Sequence, residues 1–251
     1  MHFLITNDDG IRAEGLRQLV RAALAKGHRV TVCAPDRERS AVSHALSISG
    51  ALHVREVDVE GARGYETDGT PADCARLGVY LLRNDAPDLV ISGINRGPNL
   101  GGACIYSGTV NAAMEASMSG TPALAASLCA YNTHEYAAAA KLAVRVAEWM
   151  LAHPLPRGAL YNLNVPALPY EEIRGVRAAK LASTYLDSPC YVETDTAEGR
   201  LYSYIHGVDS VAVNDPETDV MLTRAGYASL TQLTWDMRLN APDPDPSDIE
   251  L

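Results

Sequence analysis

The first 35 residues alternate between strand-like and helical patterning, and this order constrains the fold more than any other feature of the sequence. Residues 2–7 are a short, mainly apolar and β-prone run that stops at Asp8-Asp9-Gly10, as expected of a strand buried on both faces of a sheet. Apolar positions then recur at helical spacing from Ala13 to Lys26, and a second strand follows over Arg29–Ala34. This order predicts a right-handed βαβ unit.

A loop-rich stretch follows, and the alternation then resumes and continues to about residue 170. The expected elements are helices at 72–83, 109–118 and 135–152 and strands at 88–92, 122–128 and 160–165. Strands that alternate with helices in this way predict a doubly wound, Rossmann-like α/β fold with a mostly parallel sheet.

Beyond Pro169 the character of the chain changes, because tyrosines become frequent and the segments alternate like strands. The clearest are Tyr202–Ile205 and Tyr227–Thr234. We expect one α/β domain with a core over about 1–170, a β-rich C-terminal extension over about 171–240 and a frayed acidic tail at 241–251. An exposed strand pair in the extension would act as a dimer contact or an exchanged arm.

Composition narrows the class of protein. The 251 residues include 31 acidic and 21 basic side chains, for a formal charge of −10, and this charge argues against binding to duplex nucleic acid. No apolar run reaches the roughly 18–20 residues that a membrane helix needs, and the N-terminus lacks the basic region of a signal peptide. Five widely spaced cysteines form no CxxC pair, which indicates free thiols in a reducing cytoplasm.

Polar residues follow three of the predicted strands where each strand ends. Asp8 and Asp9 follow the first strand, Ser40 lies in the loop after the second, and Asn95 follows the strand at 88–92. In an open parallel sheet ligands bind at this edge, where the strand order reverses. Adjacent carboxylates repel one another unless a positive charge offsets them, and a divalent cation with oxygen ligands does so. The sequence favours a metal site, with simple helix capping by either aspartate as the alternative.

The run Tyr106–Val110 opens a predicted helix and is a candidate anion seat. Backbone N–H groups at a helix start, together with the hydroxyls of Ser107 and Thr109, favour a phosphate, although plain N-capping uses the same residues. His44 is a candidate acid or phosphate donor because histidine titrates near neutrality, and Arg37 or Arg39 could contact a phosphate. The sequence contains no P-loop, no G-x-S-x-G elbow and no HExxH motif, which argues against three common hydrolase routes.

Six ordered motifs together resemble the SurE family (survival protein E), whose members are metal-dependent nucleoside-monophosphate phosphatases. The motifs are Leu4–Gly10, Ala34–Ser40, Gly69–Cys74, Ser92–Asn95, Gly97–Gly101 and Tyr106–Val110, the last followed by Ala112–Glu115. Thr218-Asp219 and Gly226–Thr231 are similar to the closing pattern of the family. The chain departs from the family at Ala41 and Asn111, where glycine is usual, and at Gly102-Ala103, which lacks a common acidic residue.

The resemblance implies that Asp8, Asp9, Ser40 and Asn95 hold one divalent cation, magnesium or manganese, and that Asp8 and Asp9 are the catalytic carboxylates. It implies hydrolysis of nucleoside 5′- and 3′-monophosphates, with polyphosphate as a secondary substrate. It also implies a cytoplasmic homodimer or homotetramer with exchanged C-terminal arms. The phosphate and substrate contacts that we expect are Asn7, Ser43, His44, Asn95, Gly97, Ser107, Gly108 and Thr109.

Two other functional classes remain as alternatives. A magnesium-binding receiver domain also has paired acids after its first strand, but it needs an aspartate at a later strand end, where this chain has Ser92–Asn95. A non-catalytic nucleotide-binding protein would use the same edge of the sheet. A phosphate-release assay separates it from an enzyme.

Overall fold

The structure, a computed structural model, describes residues 1–133, 135–183, 191–196, 199–204 and 215–236. The described strands are β1 (His2–Thr6), β2 (Arg29–Pro35), β3 (Val54–Val59), β4 (Ala62–Thr67), β5 (Leu89–Arg96), β6 (Ala123–Cys129), β7 (Leu160–Pro166), β8 (Val176–Ala178), β9 (Tyr191–Thr196), β10 (Gly199–Tyr204) and β11 (Ala228–Leu233). The described α-helices are α1 (Glu14–Ala25), α2 (Pro71–Leu81), α3 (Gly108–Met118), α4 (Ala137–Ala152) and α5 (Asp219–Arg224).

Nine of the described strands form one sheet in the order β3-β4-β2-β1-β5-β6-β7-β11-β8. The strands from β4 through β7 in this order are parallel to one another, whereas β3 is antiparallel to β4. The chain starts at β1 in the middle of the sheet and places β2 on one side and β5 on the other. The strand order therefore reverses at β1, and a crevice opens beyond its carboxyl end. The predicted doubly wound α/β fold is confirmed.

The C-terminal strands extend the sheet and add a hairpin. The strand β11 pairs antiparallel with β7 and parallel with β8, whereas β9 and β10 form a separate antiparallel pair. The expected β-rich extension is confirmed in this part of the chain. Ile205, Cys190 and the tail at 241–251 lie outside the described residues, and the division into core, extension and tail stays a prediction.

Two elements differ from the sequence expectation. The stretch between β2 and α2, expected to be loop-rich, contains the β3–β4 hairpin, and the C-terminal extension contains the short helix α5. The strand β3 lies at the edge of the sheet and its residues are largely exposed, so charged residues occupy it and the apolar pattern is weak. Within the described ranges, no helix has the length and apolar character needed to cross a membrane.

The core lies in two layers on opposite faces of the sheet. Side chains of β1 alternate between them, with Phe3 and Ile5 packed on the α1 and α4 side and Leu4 packed on the α2 and α3 side. All three side chains are fully buried, and burial of each contributes about 1.5–3 kcal/mol to stability. Because both faces of β1 are covered, the residues that follow it begin in a dry environment.

One close contact sets the distance between α1 and the carboxyl end of β5. A Cβ atom on Gly15 would lie 2.1 Å from the backbone carbonyl oxygen of Ile94. Gly78 in α2 is also crowded, but there a Cβ atom would meet the terminal methyl groups of Leu4 at 2.8 Å. A backbone oxygen cannot rotate away, whereas a side-chain end can move slightly. Gly15 therefore fixes the strand segment that ends in Asn95.

We predict that Gly15→Ala lowers the free energy of unfolding by about 2–3 kcal/mol or more, because the added methyl group overpacks against backbone. Gly78→Ala, its matched control, should cost about 1 kcal/mol or less, because alanine also improves the helix propensity. Urea denaturation of the two variants measures the difference. Equal losses, or a larger loss for Gly78→Ala, would contradict the assigned role of Gly15.

Candidate active site

The segment after β1 forms a tight turn that aims two carboxyl groups at the crevice. The side-chain nitrogen of Asn7 donates to the carbonyl oxygen of Gly10 at 2.9 Å, and the Ile11 N–H donates to the carbonyl oxygen of Pro35 at 2.8 Å. Gly10 has a φ of +99°, and a Cβ atom there would lie 3.0 Å from the backbone of Arg37. The turn is thus packed directly against the loop that follows β2.

Asp8 is the point where separate parts of the chain meet. Its Oδ1 atom accepts a hydrogen bond from the Thr109 hydroxyl, and its backbone carbonyl accepts one from the Arg39 N–H at 2.7 Å. Gly108 lies so close that a Cβ atom on it would be 2.9 Å from Asp8 Oδ2. The ends of β1 and β2 and the start of α3 therefore converge on a single buried carboxyl group.

Asp9 connects the same turn to the end of β5. Its Oδ2 atom accepts a hydrogen bond from the Arg96 N–H at 3.1 Å. The neighbouring Asn95 donates its side-chain nitrogen to the carbonyl oxygen of Gly97 at 2.9 Å, and the amide oxygen is the remaining side-chain ligand atom. The structure thus brings the segments that carry Asp8, Asp9 and Asn95 together at one edge of the sheet.

The environment of the two carboxyl groups disfavours their charged forms. Burial raises the pKa of Asp8 to about 7, the charge of Asp9 adds to the rise, and the hydrogen bond from Thr109 opposes it. Burial also raises the pKa of Asp9, while the hydrogen bond from the Arg96 N–H lowers it. A cation between the two groups would favour their ionised forms.

The donor set fits a hard divalent cation. The Asn7 side-chain oxygen is buried and accepts no hydrogen bond from the described protein groups, so a polar atom next to Asp8 has an unused lone pair. Among the residues that the structure describes, no group of three or more His, Cys, Asp or Glu side chains is arranged to hold a metal. A cation at this edge would therefore take two carboxylates and complete its coordination with neutral oxygens, as magnesium and calcium do.

Ser40 lies beside the turn, but its hydroxyl is engaged elsewhere. The backbone of its neighbour Arg39 is anchored on Asp8, whereas the Ser40 hydroxyl donates to Glu38 Oε1 at 2.8 Å and is exposed. The Arg39 guanidinium donates to the carbonyl oxygen of Asp68 at 2.7 Å and to Asp36 at 3.3 Å. Because a hydroxyl that donates its proton keeps its oxygen lone pairs, Ser40 can still offer that oxygen to a cation.

The loop after Ser40 lies against the segment that precedes α3. Ser43 donates its backbone N–H to the carbonyl oxygen of Tyr106 at 3.2 Å, and His44 Nε2 lies 2.8 Å from Oε2 of the buried Glu115. Ala41 has a φ of +55°, a left-handed conformation that glycine adopts more readily. Alanine at this position therefore carries backbone strain that glycine would avoid.

The start of α3 contains the predicted anion seat, and both of its hydroxyl groups make a hydrogen bond within the protein. Ser107 caps the helix by accepting a hydrogen bond from the Val110 N–H at 3.1 Å, and the Thr109 hydroxyl binds Asp8. Asn111 donates to the carbonyl oxygens of Ser107 and Ile105 at 2.8 and 3.0 Å and so holds the turn. The donors that remain for an anion are the first-turn backbone N–H groups at Gly108 and Thr109 and the hydroxyl proton of Ser107.

Sequence reasoning did not select the buried polar residues beneath the loop 97–101. Asn99 binds the side chains of Ser127, Asn162 and Asn164, and the Gly101 N–H donates to Asp219. The sequence did contain a signal for this cluster, because Asn162 and Asn164 interrupt the apolar strand β7. Buried polar side chains in a strand that both layers cover indicate a specific hydrogen-bond partner.

The fold and this edge define the chain as a doubly wound α/β protein with a polar crevice at the point where its strand order reverses. The family described as Survival protein SurE matches residues 3–188. The chain belongs to the SurE family, as the six motifs predicted.

Known relatives are similar over nearly the whole chain. A protein named 5′-nucleotidase SurE from Geobacter sulfurreducens is 43% identical over 239 residues, which cover 94% of this chain and 89% of the relative. One of the same name from Symbiobacterium thermophilum is 44% identical and covers 93% of this chain and 92% of the relative. The crystal structure of a SurE protein from Aquifex aeolicus superposes with a TM-score of 0.79 at 34% identity and covers 95% of each chain.

We predict that Asp8→Asn stabilises the chain in chelator at alkaline pH. The pKa of Asp8 rises from 3.8 to about 7 on folding, so the folded state binds the proton more tightly and the free energy of unfolding falls as pH rises from about 4 to about 7. Asparagine keeps the acceptor for Thr109 and carries no charge. The gain over wild type should reach roughly 2–4 kcal/mol at pH 8.

Urea denaturation in EDTA at pH 5 and pH 8 tests this prediction. Asp36→Asn is the matched control, since Asp36 is a half-exposed carboxylate at the same edge of the sheet, and it should change stability by less than about 0.5 kcal/mol. If Asp8→Asn is less stable than wild type at pH 8, then ionisation of the buried Asp8 carboxyl group does not lower the free energy of unfolding, and the prediction is wrong.

Proposed function

We propose that this chain hydrolyses nucleoside monophosphates to nucleoside and phosphate and uses one magnesium or manganese ion held by Asp8, Asp9, Ser40 and Asn95. The observation that carries the proposal is the surroundings of Asp8, where a buried carboxyl group lies against the first turn of α3. A cation site and an anion seat are then in contact. The names of the relatives, which are 5′-nucleotidases, support the same reaction.

The proposed ligands divide into charged and neutral oxygens. Asp8 and Asp9 supply the charge, and Asn95 supplies an amide oxygen because its nitrogen is committed to Gly97. Ser40 completes the set with its hydroxyl oxygen, whose proton is donated to Glu38. When bound, the cation would polarise a phosphoryl oxygen and offset the charge that develops during attack by water.

The residues at the start of α3 place the phosphate. Backbone N–H groups of the first turn attract an anion, but the carboxylate of Asp8 next to Gly108 repels one. The seat therefore favours phosphate only when positive charge offsets the carboxylates, which couples substrate binding to the cation. Thr109 holds Asp8 in one orientation through its hydroxyl.

We assign His44 as the donor of the proton to the departing nucleoside oxygen. Its Nε2 atom is held by Glu115, which also lies 3.4 Å from the Arg76 guanidinium. The Nδ1 atom is then the ring atom left to face the substrate. The Ser43 backbone contact with Tyr106 keeps this loop beside the phosphate seat.

The proposal extends to nucleoside 3′-monophosphates and short polyphosphate, because the contacts that carry it are all to phosphate. It also includes a cytoplasmic homodimer or homotetramer. The β9–β10 hairpin exposes half or more of Val192, Leu201 and Tyr202, and a second copy that exchanges C-terminal arms would cover them.

The first test is phosphate release from a panel of 5′- and 3′-monophosphates and polyphosphate with magnesium or manganese. We expect EDTA to abolish the activity and either ion to restore it. Asp9→Asn should lower kcat/KM by at least about 100-fold, since a site that lacks one charged ligand loses both affinity and geometry. Asp85→Asn, at the opposite edge of the sheet, should stay within about twofold of wild type. Full turnover in excess chelator would refute the metal mechanism, and no release from any substrate would refute the enzyme in favour of a binding protein.

The second test separates proton donation from other roles of His44. His44→Ala should lower kcat for AMP by about 100-fold, but kcat for p-nitrophenyl phosphate by less than about fivefold, because nitrophenolate leaves without a proton. His53→Ala changes the exposed histidine that pairs with Asp68, and both rates should be unaffected. Equal losses on the two substrates would assign His44 to phosphate binding instead.

A further inference from the structure

Asp219 is a second buried carboxylate, and it lies outside the proposed cation site. It is fully buried at the first position of α5. Its Oδ2 atom accepts a hydrogen bond from the Gly101 N–H at 2.8 Å, and its Oδ1 atom accepts from the N–H groups of Ala182 and Val220 at 3.0 and 2.9 Å. Burial of a carboxylate is costly unless such donors compensate it. Three N–H groups compensate this carboxylate, and an apolar residue in its place would leave them without an acceptor.

One oxygen of Asp219 holds the loop that carries proposed site residues. Gly97, which accepts the Asn95 side chain, begins this loop, and Gly101 ends it. In between, the Asn99 N–H donates to the Asn164 side-chain oxygen at 2.8 Å. The loop is thus attached to β7 at Asn99 and to α5 at Gly101, and its path depends on both attachments.

The other oxygen contacts the base of the C-terminal extension, by which we mean residues 180–182 and 217–219. The Lys180 N–H donates to the Glu217 carbonyl oxygen, and the Asp219 N–H donates to the Lys180 carbonyl oxygen, each at 2.9 Å. These bonds join the point where the chain leaves toward the β9–β10 hairpin to the point where it returns. Asp219 binds Ala182 at the same place. A single carboxylate therefore connects the two points that flank the β9–β10 hairpin in the sequence to the loop 97–101.

We propose that Asp219 is a positioning residue that couples the base of the C-terminal extension to the loop 97–101 and so places Asn95 and the phosphate for hydrolysis. The proposal rests on the proposed function above. Asp219 touches neither substrate nor cation, and it acts through the Gly101 N–H. A displacement at the base of the extension, such as one caused by a second copy of the chain, would reach the site through this carboxylate.

Asp219→Asn isolates the contact with the loop. Asparagine has only one acceptor oxygen. We expect this oxygen to accept from the N–H groups of Ala182 and Val220, because that orientation keeps two hydrogen bonds and the opposite one keeps only the bond from Gly101. The side-chain NH₂ group then faces the Gly101 N–H, and two donors cannot form a hydrogen bond. The cap of α5 and the base of the extension are kept, whereas the attachment of the loop is lost.

Thr218→Ala is the matched control for destabilisation. Thr218 is the N-cap of α5, and its hydroxyl donates to the Asp215 carbonyl oxygen at 2.8 Å and accepts from the Met221 N–H at 3.4 Å. Its side chain takes no part in the bond to Gly101. We expect the variant to lower Tm by about 2–4 °C, the usual effect of a lost cap in a chain of this length.

Two measurements on the full chain test the proposal. Hydrogen exchange read by mass spectrometry should show faster exchange of the segment 97–105 in Asp219→Asn and no change there in Thr218→Ala. In phosphate release with magnesium or manganese, Asp219→Asn should raise KM for AMP and the inhibition constant of inorganic phosphate by roughly 10- to 100-fold, because small misplacements of a binding group have effects of this size. Thr218→Ala should leave both constants within about twofold.

The proposal is wrong if the two variants change loop exchange and KM equally, since Asp219 would then contribute only to folding. It is also wrong if Asp219→Asn leaves exchange of the loop unchanged. A wild-type chain that releases no phosphate from any substrate would refute the proposed function instead. Hydrogen exchange would still report whether the carboxylate holds the loop.

Discussion

The carboxyl groups of Asp8 and Asp9 lie at the end of a strand that is buried on both faces, where water screens their repulsion poorly. Burial raises the pKa of both groups, so each resists ionisation in the folded chain. The surrounding structure keeps them in this position through Thr109, the Arg39 N–H and the Arg96 N–H. Carboxyl groups with perturbed pKa values cluster at sites where proteins perform chemistry. The cost of folding around these two residues is the physical basis for the function that we propose.

Two glycines let the neighbouring helices α1 and α3 lie close to the strand ends that carry the proposed site. Gly108 lets α3 approach Asp8 more closely than a residue with a side chain would allow, and Gly15 does the same for α1 and the strand before Asn95. Glycine at both positions lowers the intrinsic stability of its helix. The loss is offset by the two-layer core, whose largest side chains are fully buried on both faces of the sheet. The stability of the apolar core therefore offsets the cost of the two glycines that bring the helices close to the strand ends.

The sequence predicts the parts of this arrangement that depend on local pattern. The strand β1, the helix α1 and the motifs at the strand ends could be read directly, because apolar periodicity and turn residues determine them. The β3–β4 hairpin could not, because the edge strand β3 is largely exposed and its apolar pattern is weak. Asp219 appeared only as part of a motif, since two of its three donors, Gly101 and Ala182, come from segments far away in the chain. The engagement of Ser40 with Glu38 is a side-chain choice that no pattern encodes.

The turn after β1 has a consequence for chemical symmetry. Two identical side chains follow one another there, and the turn gives them different neighbours. Asp8 contacts the start of α3, whereas Asp9 contacts the end of β5. Asp8 is buried and Asp9 is only partly buried. The fold thus makes two chemically identical groups unequal.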